Sequence, residues 1–243
     1  MNLGDTVDVA FDFRSDTPAG RDPDADSPTL RRYHRFLWSK PLPSGVAFEL
    51  DTVTPRTYLH HWSELGEFGF SSDAVIPTFS RNPKLQPLFD QIPVAETEEF
   101  NRIAYTIGGM MIFPGYKVDG HMTINQRRGC HPRIKDRFDL TVECIRRHYR
   151  GEDSPLADTL DRYSNFFELF EDFNGYVEFF LLQDLVTEAG DVRFAMSFQG
   201  FDASPLPGTL SEYLAYRENS IEFIEARNRR IAAYAVSQRR QEG

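Results

Sequence analysis

A cluster of basic side chains is the strongest chemical feature of this sequence. Five of them fall between residues 127 and 137, in a chain whose formal net charge is −10. Guanidinium and ammonium groups bind phosphate oxygens, and arginine does so through two parallel hydrogen bonds. The cluster therefore predicts a site for a phosphate-bearing small molecule, a nucleotide or a short nucleic-acid element. Its members are Arg127, Arg128, Arg133, Lys135 and Arg137.

The same segment leads into a predicted helix over residues 131–150. Pro132 suits the first position of a helix, and apolar side chains recur at helical spacing from Ile134 to Tyr149. Cations before or within the first turns of a helix face the positive end of its dipole, so they require an anion. A ligand phosphate would supply it, and so would the acid-rich segment 151–188. The competing hypothesis is therefore a non-catalytic interaction module whose basic cluster is paired internally or with an acidic partner.

Further along this predicted helix, the charged side chains are expected to pair with one another. Acid followed by base at a spacing of three or four residues stabilises a helix. We therefore expect a solvated, self-paired face here and leave its members out of the candidate site. They are Asp139, Glu143, Arg146 and Arg150.

Two histidines near the basic cluster are candidate proton carriers. His121 and His131 would serve as general acid or base if the protein catalyses phosphoester or nucleotide chemistry, and the sequence leaves catalysis open. His121 also begins a His-x-Thr tripeptide, and His61 begins a His-x-Ser tripeptide. Two such tripeptides resemble those of the two-histidine phosphoesterases, in which the hydroxyl groups hold the phosphate. This enzyme class is a third hypothesis, based on only two fixed residues in each tripeptide.

No metal site is expected from the sequence, and no cofactor can be named. Asp22, Asp24 and Asp26 have the spacing of the first three ligands of a calcium loop. However, Ser27 replaces the glycine that such a loop needs, and Tyr33 replaces the glutamate. Glycine-rich nucleotide loops and the common zinc-protease and serine-hydrolase motifs are also absent from the sequence.

Charge and cysteine content limit the compartment and the partners. The net negative charge repels phosphate backbones as a whole, so a nucleic-acid partner is not favoured. Only Cys130 and Cys144 are present, and they do not suggest a disulfide framework. The sequence contains no long apolar run and no secretion signal. These features predict a protein of the reducing cytoplasm that does not enter a membrane.

The elements that must position the cluster follow from hydrophobic periodicity. Strand patterns occur at 7–13, 46–50, 110–113 and 191–198, and residues 58–79 are expected to be irregular or strand-rich. Helical patterns occur at 29–38, 84–92, 95–104, 131–150, 155–170 and from 209 onwards, and the apolar run at 176–186 predicts a helix or a central strand. This order predicts one α+β domain over residues 1–243, with a strand-rich N-terminal half, a helix-rich C-terminal half, and frayed ends at 1–6 and 238–243.

Several long blocks resemble those of an uncharacterised bacterial protein family. The resemblance covers roughly residues 20 to 230 and implies a single family-wide domain in a bacterial cytoplasm. It implies no activity, cofactor or catalytic residue, so function must be argued from the site. The blocks are YHRFLWSKPLP, IGGMMIFPG, MTINQRRG, DRFDLTVECIRRHY and FELFEDFNGYVEFFLLQDLV.

Overall fold

The structure, a computed structural model, describes residues 7–52, 58–76, 79 and 82–242, without the side chains of 239–242. Strands occupy the N-terminal half and helices the C-terminal half, so the predicted α+β fold is confirmed. The end at 1–6, which we expected to be frayed, lies outside the described residues together with Gly243. The backbone of residues 238–242 continues a helix.

Antiparallel strands form two small sheets in the described part of the chain. Phe70, in the middle of the larger sheet, is paired with Leu59 on one side and with Pro114 on the other. The smaller sheet joins β1 (Lys40–Pro41) and β2 (Ala47–Phe48). The larger sheet has the order β3 (Leu59–Ser63), β4 (Gly66–Ala74) and β5 (Met110–Pro114).

Helices surround the larger sheet and make up the C-terminal half. The early ones are α1 (Pro23–Asp26), α2 (Pro28–Trp38), α3 (Gln86–Phe89) and α4 (Val94–Ala104). The later ones are α5 (Ile124–Cys130), α6 (Phe138–Tyr149), α7 (Ala157–Asp161), α8 (Ser164–Phe167), α9 (Phe173–Phe179) and α10 (Leu210–Glu242). Short 3₁₀ turns are found at Phe13–Ser15, Pro83–Leu85, Ile107–Gly109, Glu168–Phe170 and Gln183–Leu185.

Aromatic side chains fill the space between the larger sheet and the later helices. The rings of Phe70 and Phe166 have centroids 5.7 Å apart, and Phe166 also contacts Phe170 at 5.1 Å and Phe180 at 6.4 Å. All four rings are buried. Burial of a phenylalanine side chain stabilises a fold by about 1.5–3 kcal/mol, so this cluster is a main source of stability.

A buried arginine connects α10 to the sheet. Arg227 is 0 % exposed and donates hydrogen bonds to the carbonyl oxygens of Gly108, Met110 and Phe180 at 3.0, 2.8 and 3.0 Å. Burial lowers the pKa of Arg227 to about 9. Gly108 permits the close approach, because a Cβ atom there would lie 2.4 Å from the carbonyl oxygen of Ile224. One guanidinium group therefore holds α10, the start of β5 and the chain after α9 together.

Two of the predicted strands, at 7–13 and 191–198, are wrong. Residues 7–13 contain a turn and the start of a 3₁₀ turn, and residues 191–198 make only one isolated bridge, between Val192 and Val186. In the second segment the backbone N–H of Ala195 donates to a carboxylate rather than to a strand. In both segments apolar and polar residues alternate because one side of the chain is buried. Neither segment pairs with a described strand, so neither forms one.

Candidate functional site

The basic cluster does not lie at the start of one long helix. The predicted helix at 131–150 is wrong in its first part, because residues 131–137 form turns and α6 begins at Phe138. Lys135 and Asp136 both have a left-handed backbone, with φ of 48° and 68°. An α-helix cannot contain that conformation, so the chain must break there.

This break changes the electrostatic argument for a ligand. Arg127 and Arg128 lie in the last turn of α5, where the helix dipole favours cations. Arg133 and Lys135 lie in the turn between the helices, and Arg137 occupies the N-terminal cap position of α6. The first two arginines therefore do not need an anion to offset a helix dipole.

Arg128 is buried between β4 and the turn at 131–137. Its Nη1 forms ion pairs with Asp73 and, at 2.9 Å, with Asp136. Its Nη2 donates to the carbonyl oxygen of Asp136 at 2.8 Å, and its Nε donates to Oγ1 of Thr141 at 3.2 Å. Burial works against the charged form, but the charges of Asp136 and Asp73 outweigh it and raise the pKa of Arg128. Arg128 thus fastens the turn to the sheet and has no exposed surface.

Arg137 and Asp139 form a second buried ion pair. The Nε of Arg137 donates to Oδ1 of Asp139 at 3.0 Å, and its Nη1 donates to the carbonyl oxygen of Pro205 at 3.3 Å. The other carboxylate oxygen, Oδ2, accepts from the N–H of Ala195 at 2.9 Å. Asp139 is only 4 % exposed, so its predicted place on a solvated face is wrong. The pair joins α6 to the segment that precedes α10.

The remaining basic side chains lie around His131. Arg133 forms an exposed ion pair with Asp202 at 3.1 Å, and no ion pair is found for Arg127 or Lys135 among the described residues. The Nδ1 of His131 accepts from the backbone N–H of Arg133 at 3.2 Å, which leaves the ring proton on Nε2. Burial, followed by the charges of Arg127 and Arg133, lowers the pKa of His131.

The carboxylates that pair with the cluster do not come from the expected acidic segment. Asp73 belongs to β4, Asp136 and Asp139 belong to the cluster's own neighbourhood, and Asp202 precedes α10. Residues 151–188 contribute none of the ion pairs described for the cluster. Two of the five cations, Arg128 and Arg137, are therefore paired in the interior. Their carboxylates come from β4 and from residues next to the cluster in sequence.

The two histidine tripeptides are not hydrogen-bonded to each other in the described residues. His121 is exposed, and the hydroxyl of Thr123 caps α5 by accepting from the N–H of Gln126 at 3.3 Å. In the other tripeptide, Nε2 of His61 and Oγ of Ser63 lie 2.8 Å apart. No hydrogen bond within the described ranges connects one tripeptide to the other.

A third carboxylate lies beside the ion pairs of Arg128. Asp24 of α1 accepts from the N–H of Ala74 at 3.2 Å through Oδ2, whereas its buried Oδ1 has no partner among the described residues. Burial, followed by the charge of Asp73, raises the pKa of Asp24 to about 8. Burial also raises the pKa of Asp73, although Arg128 opposes it. Asp24 therefore holds a proton at neutral pH.

This proton gives a testable pH dependence. The unfolded chain releases the Asp24 proton near pH 3.8, whereas the folded protein keeps it until the pH reaches about 8. The contribution to stability is therefore complete below that range and is lost as the pH rises through it. We expect Asp24→Asn to remove this loss, so that the stability of the variant relative to wild type rises by up to about 4 kcal/mol between pH 5 and pH 9. Urea unfolding at both values measures it, with the exposed Asp26→Asn as control. An unchanged pH dependence in Asp24→Asn would refute the assignment.

A cavity of about 430 Å³ opens beside the Arg137–Asp139 pair. We call it the Asp139 cavity. Its apolar wall comes from β4 and its extension, α6 and α10, and includes Val75, Ile76, Phe138 and Phe223. Its polar wall includes Asp139, Gln183, Asp184, Arg193, Ser220 and Glu222. This volume falls within the usual range for small-molecule sites.

The rim of the Asp139 cavity is fixed by the peptide groups of Ala195. The N–H of Ala195 donates to Asp139, and its carbonyl oxygen accepts from Nδ2 of Asn219 at 2.9 Å. On the polar wall, Asp184 forms a bidentate pair with Arg230 at 2.8 and 2.9 Å. By contrast, Oε1 of Gln183 is buried and accepts no hydrogen bond. Gln183, which lines the cavity, therefore carries an acceptor for which the described residues supply no donor.

Two further findings concern metals and membranes. In the described ranges, no three histidine, cysteine, aspartate or glutamate side chains are arranged to hold a metal ion. None of the described helices combines the length and apolar character needed to cross a bilayer, and this includes the 33-residue α10.

Comparison with known proteins identifies a family without a described activity. No curated protein and no solved structure matches the chain. A family of unknown function, DUF6994, matches residues 7–231 of the 243 residues. The expected resemblance to an uncharacterised family is thus confirmed over most of the sequence. The chain belongs to DUF6994.

Proposed function

We propose that this protein binds a small molecule in the Asp139 cavity. The observation that carries the proposal is the cavity itself, whose lining includes Gln183, an amide whose buried Oε1 atom has no hydrogen-bond donor among the described residues. A buried polar atom without a partner costs about 1–3 kcal/mol, and a ligand that donates to Oε1 after the Gln183 side chain turns toward the cavity removes that cost.

The charges of the wall narrow the chemistry of the ligand. Asp139, Asp184 and Glu222 are acidic, whereas Arg193 is the basic residue among those that line the cavity. Ion pairs with Arg137 and Arg230 neutralise Asp139 and Asp184, respectively. The opposite wall is apolar. A neutral or singly cationic molecule with N–H groups at one end and an apolar body at the other fits this arrangement better than a phosphate does.

Unfolding temperatures of the full chain test the proposal. The probes are phenethylamine, its neutral analogue 2-phenylethanol and inorganic phosphate, each at millimolar concentration. We expect phenethylamine to stabilise the fold by about 1.4 kcal/mol at ten times its Kd, which corresponds to roughly 3–6 °C. Ala226→Phe, which fills the cavity, should abolish this shift. Ala233→Phe, at an exposed position of α10, should keep it. A shift that survives Ala226→Phe, or the absence of a shift with both phenyl probes, would reject the cavity as the site.

A second candidate function is the binding of a phosphate-bearing ligand by the exposed part of the basic cluster. Its support is the convergence of Arg127 and Arg133 on His131, whose Nε2 has its proton available to donate. Lys135 lies in the same turn and has no described ion pair. In the same assay this function requires phosphate or ATP to raise the unfolding temperature. Arg127→Ala together with Arg133→Ala should remove that shift, while Ala226→Phe should leave it.

The remaining expectations stay proposals. A cytoplasmic location is supported by two free cysteines, of which Cys144 is buried and Cys130 exposed. An interaction module is supported by the internal pairing of Arg128 and Arg137. Catalysis at His121 or His131, and a phosphoesterase that uses two histidines, have no additional support.

A further inference from the structure

The hairpin of β3 and β4 carries a serine and a histidine in hydrogen-bond contact. Ser63 follows His61 by two residues, so both side chains project from the same face of β3. The distance between Oγ of Ser63 and Nε2 of His61 is 2.8 Å. Ser63 is exposed at the end of the strand, while His61 is 2 % exposed. A hydroxyl accessible to solvent is therefore connected to a buried imidazole.

The protonation of the imidazole is fixed by its other nitrogen. Nδ1 of His61 lies 2.8 Å from the carbonyl oxygen of Glu49, which can only accept. Nδ1 must therefore carry the proton, and Nε2 of the neutral ring has a free lone pair. The hydroxyl of Ser63 then donates to Nε2. This is the arrangement of a nucleophile with its general base, and the backbone carbonyl orients the base.

The surroundings hold the imidazole neutral and in place. Phe48 stacks on the ring of His61 with centroids 4.1 Å apart, and Phe68 lies on it at 6.1 Å. Burial lowers the pKa of His61. The backbone N–H of Leu65 donates to Oγ of Ser63 at 3.1 Å, so the oxygen is held from a second direction. One lone pair of Oγ remains for attack on an electrophile.

We propose that Ser63 is a nucleophile toward acyl esters, with His61 as its general base. Oγ attacks the ester carbonyl carbon while its proton moves to Nε2 of His61. The bond from that carbon to the leaving oxygen breaks, and the leaving alcohol takes the proton from His61. The acyl group is then bound to Ser63, and water releases it by the same sequence with His61 again as base. No other reagent is required, and the proposal is independent of the Asp139 cavity.

The full chain contains a matched internal control in Ser204. Its Oγ also accepts from the N–H two residues ahead, that of Leu206 at 3.2 Å, and it is also exposed. Within the described contacts, no histidine bonds to Ser204. The Ser204 hydroxyl instead donates to the carbonyl oxygen of Leu206 at 3.5 Å, so the two serines differ in the group that accepts their proton, an imidazole for Ser63 and a peptide carbonyl for Ser204.

Labelling with a fluorophosphonate probe, followed by peptide mass spectrometry, tests the proposal. General-base assistance contributes about 10²–10⁴-fold, so we expect Ser63 to react at least about 100-fold faster than Ser204. The rate at Ser63 should be flat above the lowered pKa of His61 and fall at more acidic pH. A serine without a base should instead react about tenfold faster for each unit of pH, as hydroxyl ionisation requires.

Variants separate a nucleophile from a serine that only caps the hairpin. Ser63→Ala should lose the label, and His61→Phe, which keeps the stacking on Phe48, should reduce labelling of Ser63 to the rate of Ser204. If His61→Phe does not fold, the wild-type rate ratio and pH profile still decide. Equal rates at Ser63 and Ser204, or a rate at Ser63 that keeps rising with pH, would overturn the proposal.

Discussion

Replacing Arg227 by methionine is expected to lower the free energy of unfolding by about 3–5 kcal/mol. The guanidinium donates to the carbonyl oxygens of Gly108, Met110 and Phe180, which lie in the interior. Each buried acceptor that loses its donor costs about 1–3 kcal/mol. Relief of the burial of a cation without a paired carboxylate offsets part of this loss. Urea unfolding followed by circular dichroism measures the difference.

Arg230 provides the control for this substitution. It lies one helical turn further along α10 and forms an ion pair with Asp184, but it is 38 % exposed. Ion pairs with that much exposure contribute about 0–1 kcal/mol. Arg230→Met should therefore cost less than about 1 kcal/mol. Similar losses for the two variants would show that the carbonyl contacts of Arg227 are not what stabilises the fold.

Replacing Arg137 by methionine is expected to cost about 3–5 kcal/mol, because it leaves the carboxylate of Asp139 buried without its partner. The same carboxylate holds the N–H of Ala195 at the rim of the cavity. Urea unfolding at pH 7 measures the loss.

A double variant and a neighbouring arginine complete this experiment. Arg137→Met combined with Asp139→Leu removes both charges and should recover part of the stability that the single change loses. Arg133→Met breaks only an exposed pair with Asp202, so it should change stability by less than about 0.5 kcal/mol. If Arg137→Met proves as mild as Arg133→Met, the buried pair is not a structural contact.

The fold class could be predicted because apolar periodicity is strong in this chain. The β4 strand and the long α10 follow their patterns, and the distribution of strands and helices is as expected. The predicted strand at 191–198 is wrong because its alternation reflects the packing of Val192, Phe194, Met196 and Phe198 against the core. A strand also needs a partner, and the pattern of a single segment contains no information about one.

The site was less predictable, because its contacts are set by backbone geometry and by distant residues. The apolar spacing around Ile134 suggested a continuous helix, but the left-handed backbone of Lys135 and Asp136 ends it. Asp73, which closes off Arg128, lies 55 residues away in the sequence. Arg137 and Asp139 lie on either side of Phe138, where α6 begins. A sequence prediction that starts the helix at residue 138 would place these two side chains close enough to pair.

The role of Arg227 also has a consequence for synthesis on the ribosome. The guanidinium lies 117 residues after Met110, whose carbonyl oxygen it binds, and α10 follows all the other described elements. The carbonyl oxygen of Met110, at the start of β5, therefore cannot bind Arg227 until nearly the whole domain has been translated. Contacts so distant in sequence form late and leave apolar surface open to other chains in the meantime. We expect nascent chains that lack α10 to be held by chaperones rather than folded.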